Sequence, residues 1–332
     1  MTVPDTMTCW QVTGPGEPLD VMTLAEVPVP VPGPGEVLVE VWSAALNFPD
    51  VLLARGTYQE RPEPPFTPGV ELAGMVVAAG PGVERSRIGE RVIGVPRLPH
   101  GALAKYAIVP ETDLHSAPAG LDDAAASAFH IAYQTGWFGL YRRAALRVGE
   151  ILLVNAAAGG VGSAAVQLGR AAGARVIGVV GSAAKVEPAR AQGADLVIDR
   201  SGADVVEQVM AYTRGRGVDV VFDPVGGAAY RTATKVIAFE GRLVVVGFAG
   251  GEITEVSLGH PLVKNYSVLG LNWGGYRQRR PELVAEAHDD LMAMYEHGAL
   301  RPAVATEPLA DLPEALDRLT GRGTTGKLVL TP

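Results

Sequence analysis

Between residues 151 and 162 the chain reads ILLVNAAAGGVG, an apolar run that enters a turn of small residues and leaves it as an Ala-rich helical segment. Ala157, Gly159 and Gly162 fall on the three slots of a G-x-G-x-x-G turn, with alanine in the first. Backbone N–H groups with no side chain in front of them, at the positive end of a helix dipole, hold phosphate oxygens. The chemistry implied is the gripping of a dinucleotide pyrophosphate. An enzyme built for NAD carries Asp or Glu about 20 residues further on, to hold the ribose hydroxyls. Here Val179-Val180-Gly181-Ser182 has no acid. Ser182 can hydrogen-bond a 2′-phosphate, and Lys185 and Arg200 can bring positive charge to it, which favours NADP(H). Taken singly, Lys185 and Arg200 are also ordinary solvated positions.

Such a turn needs a parallel sheet to present it. Residues 175–180 (RVIGVV), 195–198 (DLVI), 218–222 (VDVVF) and 242–246 (RLVVV) are short, β-branched and apolar on both faces, and 267–271 adds a sixth strand. Segments 163–172 and 203–213 between them are long enough for crossover helices. The predicted class is α/β, with a doubly wound parallel sheet of Rossmann type. A parallel layer that binds no nucleotide would leave unexplained a glycine pair at the carboxyl end of the first strand, where ligands of such sheets sit.

The N-terminal part has another texture. A proline-rich connector at 28–35 (PVPVPGPG) leads into the alternating 36–42 (EVLVEVW), and 69–77 and 89–94 are strand-and-turn pieces without helical period. This predicts a β-rich, barrel-like domain ending near 121–126, where LDDAAA offers an acidic helix start. A helix at 281–297 and a strand at 326–330 (GKLVL) predict a return of the tail to the first domain. The expected division is 1–125, 126–272 and 273–332.

At 332 residues the chain exceeds one hydrophobic core. A net charge of −8 argues against nucleic acid or an anionic membrane as partner. No apolar run approaches the length of a membrane span, and MTVPDTMTCW lacks the features of a signal peptide, so a cytoplasmic location is expected. The one cysteine, Cys9, excludes an internal disulfide and a multi-cysteine zinc site, and is expected as a small hydrophobe of the first strand. The six histidines show no paired ligand spacing, so no metal is expected. Two decoys are set aside: GRGTTGK at 321–327 lacks the following Ser or Thr and helix of a phosphate loop, and no G-x-S-x-G occurs.

The succession VLVEVWSAALNFPDVLLARGTY, PGVELAG, GERV, NAAAGGVG, VDVVFDPVGG, GRLVVVGFAGG and TGKLVL resembles the zinc-independent quinone oxidoreductases of the medium-chain dehydrogenase/reductase superfamily, from about Trp10 to Leu330. The resemblance implies a GroES-like catalytic domain split around a Rossmann domain, NADPH as hydride donor, a cleft active site and a homodimer joined through the last Rossmann strands. The zinc-dependent branch has ligands where this chain has Asn47, Val70 and, nearby, Ile131. By family position, Asn47 and Tyr58 are the catalytic candidates. Asn47 either orients the carboxamide ribose or the substrate carbonyl, or closes a turn; Tyr58 either donates a hydrogen bond or proton, or walls the pocket. A family tyrosine is Leu52 here, against a tyrosine pair. Carried over likewise as cofactor contacts are Thr135, Ala158, Gly159, Gly160, Val161, Phe248, Ala249, Asn272 and Trp273, the last either a wall for a flat substrate or a core residue.

The function expected is hydride transfer from NADPH to a quinone or similar conjugated carbonyl, without metal. The alternative is an enoyl or alkenal reductase acting on α,β-unsaturated carbonyls or thioesters, for which Arg277, Arg279 and Arg280 are the only basic patch in view. A third possibility, of another class, is a protein that binds NADPH with little turnover.

Overall fold

The computed structural model describes residues 3–331. Contacts divide the chain into two units, one of Met1–His130 with Val304–Pro332 and one of Ile131–Ala303.

In the first unit, strand Glu36–Ala45 is the hub. It pairs antiparallel with Leu72–Ala79, with Tyr106–Pro110 and, at its far end, with Lys327–Thr331, through Val329 opposite Ala45. Strands Arg91–Gly94, Leu114–Ser116 and Val304–Pro308 complete a seven-stranded sheet. Val37, Val39, Val41, Leu72, Val76 and Val92 are buried together in its core. A separate hairpin, Thr6–Val12 with Met22–Pro28, carries Cys9, which is buried as expected. Helix Phe48–Ala54 leaves the hub strand directly, with Asn47 as its N-cap.

The second unit is a six-stranded parallel sheet. Its order in space is Leu196–Asp199, Arg175–Val180, Ile151–Asn155, Val218–Asp223, Ile237–Val245 and Ser267–Gly270. Counted in sequence that is 3-2-1-4-5-6, the doubly wound order with its switch point between the first and fourth strands. Successive residues serve opposite faces: Leu153 and Ile177 pack with Val209, Tyr230 and Ala233 of two crossover helices. Leu152 and Val176 meet Gly169 of helix Gly160–Ala171 on the other side. Five strands start within a residue of expectation; the fifth begins at Ile237, not 242.

One expected boundary moves. The tail rejoins the first unit at Val304, not at 273, because helices Trp273–Arg279 and Pro281–Glu296 are pinned to the second unit by buried amides. Gln134 Nε2 donates to Val284 O at 2.9 Å, and Gln167 exchanges two hydrogen bonds with the Arg301 backbone, at 2.8 and 2.7 Å. No helix among the described residues is long and apolar enough to cross a membrane.

The turn after Ile151–Asn155 shows how alanine replaces the first motif glycine. Ala157 is fully buried, and its Cβ stands 2.8 Å from where a Cβ on Gly178 of the adjacent strand would be. The close approach usually granted by the turn glycine has been transferred to the neighbouring strand. Gly178→Ala is expected to cost roughly 1–3 kcal/mol by overpacking. Adding Ala157→Gly to that variant is expected to return most of the loss, read as unfolding midpoints of wild type, both single variants and the double variant.

Candidate functional site

At the carboxyl ends of the second unit's strands, Gly159 is the N-cap of helix Gly160–Ala171, so Gly160 and Val161 lie in its first turn beside the buried Ala158. A Cβ on Gly162 would stand 2.1 Å from Ala156 O, so only glycine lets this helix start so close to the strand it follows. Ala158, Gly159, Gly160 and Val161, expected as cofactor contacts, are therefore one contiguous run at the helix start, with the helix dipole behind it.

At the end of strand Arg175–Val180, Arg200 lies against Val180 and Gly181, the residues just before Ser182. Arg200 N donates to Val180 O at 3.1 Å, and its Nη2 and Nε lie 3.6 and 3.8 Å from where a Gly181 Cβ would stand. Among the described residues no acceptor holds this guanidinium. Lys185 closes the short turn Ala183–Lys185 and is half-buried; desolvation pushes its ammonium below the ordinary lysine value.

Asp223, which the sequence reading passed over, organises the neighbouring loops. Fully buried at the end of Val218–Asp223, its carboxylate accepts from Asn155 Nδ2 at 3.0 Å, Val225 N at 3.0 Å and Gly226 N at 3.3 Å, while burial pushes its pKa up. Phe248 packs over Gly226, whose φ of +71° and missing Cβ leave room for the ring, and Ala249 N donates to Pro224 O at 3.0 Å. Thr135 is buried in helix His130–Trp137; its neighbour Gln134 receives Trp273 Nε1 at 3.4 Å. Asn272 caps helix Trp273–Arg279 by accepting Gly275 N at 3.0 Å. That oxygen is thereby occupied in a structural bond.

Two hollows lie elsewhere on this unit. One, of about 350 Å³, is lined by Ile151, Arg175, Tyr212, Arg214 and Arg216 at the amino ends of the strands. It adjoins the carbonyl end of helix Val205–Tyr212, a poor place for phosphate. The other, of about 520 Å³, is lined by Trp137, Tyr141, Arg142, Arg143 and Tyr276.

In the first unit Asn47 belongs to a buried polar cluster. Its peptide N–H donates to Asp50 Oδ2 at 2.8 Å, and its Nδ2 donates to Ala45 O and to Glu71 Oε2, both at 3.0 Å. Its Oδ1 accepts from Lys327 Nζ, which also pairs with Glu71 Oε2 at 2.9 Å. Asp50, Glu71 and Lys327 are all buried, and none was singled out by sequence for this role. With both amide protons committed, Asn47 is built to hold a position and has no N–H to spare for a carbonyl. Tyr58 follows the same helix: its N–H donates to Leu52 O at 3.2 Å, and its half-buried ring packs on the unit's core.

The local signal for the cluster was a charge in an apolar stretch. Glu71 stands in GVELAG and Lys327 opens KLVLT, and charges are rarely buried unless paired.

The alcohol dehydrogenase GroES-like domain family matches residues 33–119, and the zinc-binding dehydrogenase family matches residues 160–289. Quinone oxidoreductase-like protein 2 homolog of Nematostella vectensis is 37% identical over 301 residues, 90% of this chain and 82% of the relative. This chain belongs to the quinone oxidoreductase family of the medium-chain dehydrogenases/reductases. Two solved members of related sequence superpose over nearly the whole chain. The Pseudomonas syringae pv. Tomato DC3000 quinone oxidoreductase is 32% identical with a TM-score of 0.91, covering 98% of this chain and 100% of its own. The Escherichia coli quinone oxidoreductase complexed with NADPH is 30% identical with a TM-score of 0.87, at the same coverage.

The second family's description names zinc, a metal that takes thiolate, imidazole or carboxylate donors. At the ligand positions of the zinc-dependent branch, this quinone oxidoreductase family member has the engaged amide of Asn47 and the hydrocarbon side chains of Val70 and Ile131. Among the described residues no three His, Cys, Asp or Glu side chains gather. The residues present do not fit zinc.

Asp50 gives the cluster a pH signature. Burial pushes its carboxyl from 3.8 up to about 7, opposed by the Asn47 N–H and the Lys327 ammonium and reinforced by Glu71. The folded protein therefore holds this proton more tightly than the unfolded chain does. The stability it confers is complete below the unfolded value and lost as pH rises through about 7. Asp50→Asn keeps an oxygen for the Asn47 N–H and removes the titration. Between about pH 5 and about pH 8, its unfolding free energy is expected to gain roughly 2–4 kcal/mol on the wild type, measured by denaturant titration.

Proposed function

We propose that this protein is an NADPH-dependent oxidoreductase that reduces a quinone. The observation that carries the reading is the end of the second parallel strand, where Gly181–Lys185 (GSAAK) holds no acid and the Arg200 guanidinium lies over Gly181 with, among the described residues, no carboxylate on it. A carboxylate there would repel a 2′-phosphate, and a guanidinium meets one with paired, charge-assisted hydrogen bonds. The relative solved with NADPH supports the same cofactor.

NADPH, when bound, supplies a hydride. Ala158, Gly159, Gly160 and Val161 bind the pyrophosphate with backbone amides at the helix start. Ser182, Lys185 and Arg200 bind the 2′-phosphate. The half-buried Lys185 ammonium, already stripped of part of its water, sheds less solvent in doing so. Thr135, Phe248, Ala249, Asn272 and Trp273 hold the nicotinamide half, with Phe248 kept in place by the loop that Asp223 ties down.

Asn47 and Tyr58 are assigned to the acceptor in different roles. Asn47 fixes the start of the 47–58 segment, and Tyr58 donates a hydrogen bond to the oxygen that gains negative charge. The quinone assignment draws on the relatives' names. A homodimer is assigned to the open edge of strand Ser267–Gly270, where Val268 is 37% exposed.

The test follows NADPH oxidation against matched quinone, enal and enoyl-thioester acceptors, with NADH as parallel donor. Quinone reduction with a clear preference for NADPH is expected. Arg200→Ala is expected to raise KM for NADPH by about 10- to 100-fold while barely moving that for NADH. Equal losses with both donors would remove the phosphate assignment, and turnover confined to enals or thioesters would replace the quinone.

A further inference from the structure

Lys327 was set aside in the sequence as the last letter of a failed phosphate loop, yet it is 6% exposed and lies in the middle of the first unit's polar cluster. An ammonium taken out of water loses several kcal/mol of solvation, and mutual attraction offsets that only with close, well-placed partners. Lys327 has them. Its Nζ pairs at 2.9 Å with Glu71, which is fully buried, and donates to Asn47 Oδ1. Asp50, also fully buried, feels its charge.

The backbone leaves this ammonium little freedom. Leu46 N donates to Leu328 O at 2.8 Å, and Val329 stands opposite Ala45, so Lys327 is carried to Asn47 by strand pairing across a separation of 280 residues. The partners also dictate which way the Asn47 amide points. Its oxygen must face the ammonium, which only donates, and its nitrogen must face Ala45 O and Glu71, which only accept when the carboxylate is ionised. Turning the amide over would set donor against donor and acceptor against acceptor. That same residue caps the helix leading to Tyr58.

We propose that Lys327 is a positioning residue for the reduction: an internal cation, held between Glu71 and Asn47 oxygens with the buried Asp50 nearby, that locks the Asn47–Tyr58 segment in its working geometry. The proposal rests on the reading of Asn47 and Tyr58 given above. Lys327 acts through Asn47 and does not itself meet substrate or cofactor.

The test uses the full chain with Lys327→Ala and Lys327→Arg. Misplacing a reacting group by about 1 Å costs about 100-fold in rate, so Lys327→Ala is expected to lower kcat by about that factor while the Kd for NADPH, read by fluorescence, stays within about 2-fold. Lys327→Arg should retain most of the rate. Propylammonium in the buffer should restore kcat of Lys327→Ala saturably, and propanol, of similar size but uncharged, should not. A kcat within about 3-fold of wild type, a parallel loss of NADPH binding, or equal rescue by propanol would overturn the proposal.

If Lys327→Ala does not fold, the neutral pair Lys327→Met with Glu71→Gln decides. A reduced kcat with unchanged NADPH binding supports the internal cation, and a wild-type kcat refutes it. Should the wild type reduce no acceptor at all, the reductase reading fails by itself. The internal cation is then judged by whether propylammonium, and not propanol, raises the unfolding temperature of Lys327→Ala.

Discussion

Helix Gly160–Ala171 begins right against the strand that precedes it, which sets its first amides at the strand's carboxyl end, and that clearance depends on Gly162. Its α-carbon lies so near Ala156 O that one methyl group would close the gap. The rest of the second unit follows from that approach: the direction of helix Gly160–Ala171, the small residues on its inner face, and the Gly178 vacancy that accepts Ala157. The motif is better understood as a volume to be kept empty, shared by two strands and a helix, than as three glycines in a row. Alanine in the first slot leaves the architecture intact because the emptiness has been moved one strand over.

The two units handle charge in opposite ways. At the carboxyl ends of the second unit's strands the Arg200 guanidinium is exposed and, among the described residues, has no counter-charge, an arrangement suited to an anion that arrives and departs. In the first unit, Lys327 and Glu71 are sealed in with their compensation complete, and nothing there is available to a diffusing ion. Asp50 is the exception that makes the cluster sensitive to its surroundings, since a second carboxylate beside a single ammonium leaves an unbalanced charge unless a proton neutralises it.

Much of this was legible in the sequence. The parallel strands announced themselves by β-branched runs between Ala-rich segments, and helix Pro281–Glu296 and strand Lys327–Thr331 fell within a residue of the expected 281–297 and 326–330. These are local signals, carried by neighbours along the chain. What escaped was set by residues far apart. The second unit keeps residues 273–303 because the side chains of Gln134 and Gln167 reach their backbone, and no pattern at 134 or 167 declares that. Asn47 read, by its position in the family resemblance, as either a residue that orients cofactor or substrate or one that closes a turn. Its actual commitments come from Glu71 and Lys327, and they came into view only with the sheet assembled. Asp223 was missed for a simpler reason: an acid at the end of a buried strand looks like the start of a loop, and its three loop-shaping hydrogen bonds depend on turns no propensity specifies.

The interleaving of the first unit has a bearing on how the protein is made. Residues 131–303 are contiguous, so every strand of the parallel sheet has its neighbours once that stretch has left the ribosome. The hub strand Glu36–Ala45 emerges far earlier but lacks one flank until Lys327–Thr331 is synthesised. Until then the Lys327 ammonium is missing from beside Glu71. A nascent chain thus completes the contiguous unit before the one whose sequence flanks it, and the hub strand gains its missing flank only when Lys327–Thr331 pairs with it.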